Sequence, residues 1–80
     1  MHSTPAKYLI LIESAGAMVA RLFDANRVHL SDFDAASEEV AVMTKGLTPR
    51  RDADEGVWAK ALSGHNAAER AEAQVFTLDV

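Results

Sequence analysis

Tyr8-Leu9-Ile10-Leu11-Ile12 is a run of five apolar residues, three of them β-branched or aromatic. Such a run reads as a strand buried on both faces, inside a sheet and not at its edge. The rest of the chain is what flanks and covers it.

Working outward, Lys7 to Glu13 is predicted as the first strand and Ala17 to Phe23 as the second. Ser14-Ala15-Gly16 between them has the form of a three-residue loop, a type I turn closed by a bulge with glycine in the left-handed position. Asp24-Ala25-Asn26 repeats the device, with asparagine as the next-best left-handed residue. Arg27 to about Phe33 is then a third strand, and the first third of the chain is an antiparallel meander.

These loops set a register in which Glu13 opposes Ala17, Ile10 opposes Ala20 and Tyr8 opposes Leu22. One face then collects Tyr8, Ile10, Ile12, Met18, Ala20, Leu22, Val28 and Leu30, free of charge. A one-residue slip would scatter that set to both sides. The other face is mixed: Leu9, Leu11 and Val19 at its centre, with Glu13, Arg21, Arg27 and His29 towards its margin.

After Phe33 the hydrophobic period changes. Ser37 is an N-cap, Glu38 and Glu39 lie in a first turn, and Gly46 follows at C′, which predicts a helix between them. Asp52-Ala53-Asp54-Glu55 resembles a capping box and opens a stripe of Val57, Trp58, Ala61 and Leu62. Asn66-Ala67-Ala68-Glu69 starts another turn or two, through Ala73. Gln74 to Val80 alternates and is the last strand.

The fold class expected is therefore α+β, βββααβ. A three-stranded antiparallel meander is followed by two or three short helices packed on the clean face, then by a C-terminal strand beside the first. The sheet order is 3-2-1-4, with the last strand placed parallel to the first and an antiparallel placement left open. Residues 1–6 are expected as a flexible lead-in and 7–80 as a single domain.

With 80 residues and no cysteine, the chain has no disulfide to staple it. A domain of this size buries only ~60% of its unfolded surface. Much of the apolar content is alanine, so a partner copy would help stability. The net charge of −4 opposes binding to phosphate backbones and anionic lipid. The N-terminus lacks the pattern of a secretory signal, and the apolar run is far too short to span a membrane. The expectation is a cytoplasmic protein.

No catalytic constellation stands out. The strand order resembles half of a ribonuclease-H-like core, and that resemblance implies carboxylates on comparable elements, here Glu13, Glu38 or Glu39, and Asp79. Divalent metals do favour clustered carboxylates. Yet Glu13 adjoins a turn, and Glu38 and Glu39 suit a helix start. His2, His29 and His65 lack ligand spacing. Ser14, Ser31, Ser37 and Ser63 read as turn, sheet or cap residues, and no glycine run could cradle a phosphate. Arg50, Arg51 and Lys45 form a small basic cluster, read as a solvated loop, with RNA or an acidic partner as the alternative. Trp58 reads as core.

What remains is the mixed face. Leu9, Leu11 and Val19, widened by Phe23 and Phe33 and rimmed by Arg21, form an apolar patch that monomers rarely leave bare. Either the chain's own tail or last helix covers it, or a second copy does. The function expected is a non-enzymatic interaction module that self-associates through this face as a homodimer, needing no cofactor or metal. Another protein is a possible partner. A metal-dependent nuclease-like enzyme and a nucleic-acid accessory are the alternatives.

Overall fold

A computed structural model describes residues 6–51 and 56–78. β1 (Tyr8–Ser14), β2 (Ala17–Phe23) and β3 (His29–Asp34) form the meander. Three short helices follow, α1 (Glu38–Thr44), α2 (Gly56–Ala59) and α3 (Ala67–Glu72), and β4 (Gln74–Thr77) completes the α+β fold. The sheet order is β3-β2-β1-β4, as the sequence predicts. The lead-in before Ala6, the capping-box-like Asp52 to Glu55, and Asp79 with Val80 lie outside the described residues.

The local signals that set the helices are met. The Ser37 hydroxyl accepts from the Val40 N–H, and Gly46 takes φ 78° after the last turn of α1. Asn66 and Glu69 make a reciprocal capping box at α3, with the two bonds at 2.8 and 3.1 Å.

The register differs from the expected one by one residue. Ala15 (φ 53°) and Gly16 (φ 83°) are both left-handed. Two such residues in succession make a two-residue type I′ turn, whose twist matches that of the strands. Ser14 therefore faces Ala17, Leu11 faces Ala20, and Ile10 faces Arg21. The second turn also places its strain elsewhere. Asp24 accepts from the N–H groups of Asn26 (2.8 Å) and Val28 (2.9 Å), and the left-handed residue is Arg27 (φ 62°), not Asn26. A bulge opposite Leu22 and Phe23 leaves Leu30 without a facing residue.

β4 runs antiparallel to β1, with Leu9 facing Phe76 and Ile10 facing Val75. The chain does not take the parallel placement. Antiparallel pairing is slightly more stable per residue, and β4 starts opposite Leu11, near the end of the sheet at which β3 finishes opposite Val19. On the way to β4, Arg50 pairs with Val75 and covers part of the outer edge of β4. The outer edge of β3 has no strand neighbour among the described residues.

The new register divides the apolar residues between two cores. On one face Ile10, Ile12, Phe23 and Val75 pack under Trp58, Leu62 and Ala73, with Tyr8 and Val19 at the margin. On the other Leu9, Ala20, Leu22, Phe76 and Leu78 pack under Val40, with Met43 and Leu47 beside it. Contrary to the expectation that all helices pack on one face, they divide between the two. α1 covers the Leu9 face, and the α2–α3 region covers the Ile10 face. A first strand that is apolar at every position from Tyr8 to Ile12 needs a cover on each side. Phe23, Leu9, Ile10, Ile12 and Leu62 are fully enclosed, each worth roughly 1.5–3 kcal/mol of burial.

Candidate interaction surface

The six residues expected to share a sticky face do not share one. Leu9 and Phe23 are fully buried on opposite sides of the sheet and cannot meet a partner. Val19 is half-buried at the margin of the Ile10 face. Arg21 points to that same side, where its Nε lies 3.6 Å from Asp32. Leu11 and Phe33 are half-buried on the α1 side. The chain therefore covers most of the expected patch itself.

What it leaves open is smaller and lies on the α1 side. α1 buries Val40, which is 3% exposed, but turns Val42 outward, 69% exposed. Between α1 and the sheet runs an open groove of about 460 Å³, lined by Leu22, Phe33, Val42 and Met43, with Glu38 and Glu39 at its rim. The β3 register carries the surface further. Phe33 faces Ala20, so Met18, two residues along β2, belongs to the same side and is 47% exposed.

This rim is acidic for local reasons. Glu38 and Glu39 line it, and residues 28–44 carry no lysine or arginine. Asp32 and Asp34 alternate with Phe33 along β3 and so belong to the other side of the sheet, where Asp32 pairs with Arg21 at 3.6 Å and His29 at 2.6 Å. Glu38 and Glu39 occupy the first turn of α1, where the helix dipole favours acids, and have no ion-pair partner among the described residues.

The other candidates are scattered. Glu13 is exposed next to the β1–β2 turn, Glu38 and Glu39 lie on α1, and Asp79 is outside the described residues. Among the described residues no three of His, Asp and Glu are grouped to hold a metal ion. The antiparallel β4 also departs from the parallel arrangement on which the ribonuclease-H-like resemblance rested. His29 bonds Asp32, and His65 is buried with its Nδ1 3.5 Å from Glu69; they do not converge. Arg51 is paired with Glu72 at 3.5 Å, Arg50 pairs with β4 through its backbone, and Lys45 caps α1. Trp58 is core, 2% exposed.

Sequence reading missed Val42 and the acidic rim as surface features. The signal was present. Val40, Met43 and Leu47 share a stripe, and Val42 is off it. No match is found among protein-family models, curated proteins or solved structures. No helix of the described residues is long and apolar enough to cross a membrane.

Proposed function

We propose that the chain is a non-enzymatic protein-interaction module that self-associates through the α1 side of its sheet. The observation that carries this is the outward-facing Val42, beside a groove floored by Leu22, Phe33 and Met43 and continued by Met18. Contiguous apolar surface of this kind marks interaction sites. Two copies stacked about a two-fold axis would bury it and leave Glu38 and Glu39 at the solvated rim. As part of the same proposal the module works in the cytoplasm, a compartment that a chain without cysteine suits.

Sedimentation equilibrium at micromolar concentration tests it. The expected result is a monomer–dimer equilibrium that Val42→Glu shifts to monomer. Added salt should strengthen the dimer, because it screens the repulsion between the acidic rims. A monomer at all accessible concentrations, or a dimer indifferent to Val42→Glu, would overturn the proposal.

A second reading is favoured by Glu38 and Glu39, which have no ion-pair partner among the described residues. The same groove would take an amphipathic helix with apolar anchors and flanking Lys or Arg from another protein. Salt separates the two readings, since it weakens attraction to a basic partner.

A further inference from the structure

Arg27 is the odd residue of the β2–β3 turn. Its backbone is left-handed, φ 62°, a conformation that L side chains other than Asn and Asp rarely take. Its guanidinium carbon lies 5.5 Å from the Tyr8 ring centroid and 5.2 Å from that of Trp58. Two rings brace it, yet its side chain makes no hydrogen bond or ion pair among the described residues, and its Nε is buried without a partner. Arginine carries five donors in a fixed fork. In a chain with 12 acids and 8 bases, an unpaired and braced guanidinium is unusual. Strained residues held by their surroundings cluster at functional sites.

Arg27 also lines a cavity of about 460 Å³ together with Asn26, Val28, Lys60 and Ala61. Lys60 has no ion-pair partner among the described residues either. Among the described residues no carboxylate lines this cavity. The nearest acid in the turn, Asp24, is buried and turned towards the N–H groups of Asn26 and Val28. The lining therefore combines a planar fork, an ammonium and an amide with two apolar side chains, and its volume lies in the range of small-molecule sites, ~300–1,000 Å³.

The geometry points to a binding pocket for a small organic phosphate on the side of the sheet opposite the α1 groove. The Arg27 fork matches phosphate oxygens two at a time, and Lys60 adds the second positive charge that a dianion needs. Val28, exposed at the wall, and Ala61 meet the organic part. The site is independent of self-association, since it shares no residue with the groove.

Inorganic phosphate is the first probe, with sodium chloride at matched ionic strength as reference and acetate as the monoanionic carboxylate. Emission of Trp58, the chain's sole tryptophan, and amide shifts of Asn26, Arg27, Val28 and Lys60 are the readouts. Phosphate is expected to give a saturable change that chloride does not, with acetate weaker. Arg27→Gly, which suits the left-handed backbone, and Lys60→Met, a change at an exposed side chain, should each weaken binding about tenfold or more. Amide spectra confirm that both variants stay folded. No saturable response beyond chloride, or one unchanged in both folded variants, would overturn the pocket. Acetate binding as tightly as phosphate would overturn its assignment to phosphate.

Discussion

The Arg27 guanidinium stacks on the Trp58 ring, their centres 5.2 Å apart. Trp58 in turn meets Phe23 edge-on at 5.3 Å and Tyr8 at 5.2 Å. The cation thus closes an aromatic cluster built on the Ile10 face. A left-handed arginine costs about 1–2 kcal/mol, and a desolvated cation–π contact returns roughly the same. The two effects separate by substitution. Arg27→Ala keeps the strain and loses the stacking, so it should lower stability by about 1–2 kcal/mol. Arg27→Gly loses both and should stay within about 1 kcal/mol of the parent. Urea unfolding monitored by Trp58 emission gives the order.

The β1–β2 turn makes a prediction of its own. Ala15 sits at φ 53° ahead of Gly16 at φ 83°. Asn-Gly is the preferred pair for a type I′ turn. Ala15→Asn should therefore raise stability by about 0.5–1 kcal/mol, and Gly16→Val should lower it by at least about 1–2 kcal/mol. A three-residue loop, by contrast, would draw no benefit from asparagine at position 15. Thermal or urea unfolding distinguishes them.

That turn is also where the sequence was hardest to read. The strands, the caps Ser37 and Asn66, and the order of the sheet are all written in local residue chemistry. The register is not. β1 is apolar at odd and even positions alike, so its pattern tolerates a slip that would expose an ordinary half-buried strand. Alanine is a poor left-handed residue, and so Ala15 gave no hint of a two-residue turn. Pairing across both faces decided it. The same competition put Arg27, not Asn26, in the left-handed position, because ring contacts distant in sequence outweigh local preference. The interaction surface followed the register. With β2 turned over, Leu9 and Phe23 became core and the open surface moved to Val42 and Met18.

Burial on both sides of β1 has a measurable consequence. Leu9 and Ile10 are neighbours in sequence, and both are fully enclosed, one under α1 and one under the α2–α3 region. Leu9→Ala and Ile10→Ala should each cost about 2–5 kcal/mol. If only one face carried a cover, one of the pair would be tolerated at well under half the cost of the other. Chemical denaturation of the two variants settles it.

Two valines of α1 should behave oppositely. Val40 is buried beneath the helix, and Val42 faces out. Val40→Ala should remove about 1–2 kcal/mol through lost packing. Val42→Glu should leave monomer stability within about 0.5 kcal/mol while weakening self-association. Unfolding at a concentration low enough to keep both variants monomeric isolates the first effect from the second.

The α3 cap can be tested alone. Asn66 holds the Glu69 N–H at 2.8 Å, and the Glu69 carboxylate returns a bond to the Asn66 N–H at 3.1 Å. Asn66→Ala should cost about 1 kcal/mol, and Asn66→Ser much less. Circular dichroism with urea supplies both values.

The pairing of β1 with β2 carries the two cores, the groove beside α1 and the ring-braced arginine together. Methyl-resolved nuclear Overhauser spectroscopy reads it most directly. The account predicts cross-strand contacts between the methyl groups of Leu11 and Ala20, and between Ile12 and Val19. Contacts placing Ile10 opposite Ala20, with Leu11 on the other side of the sheet, would contradict it.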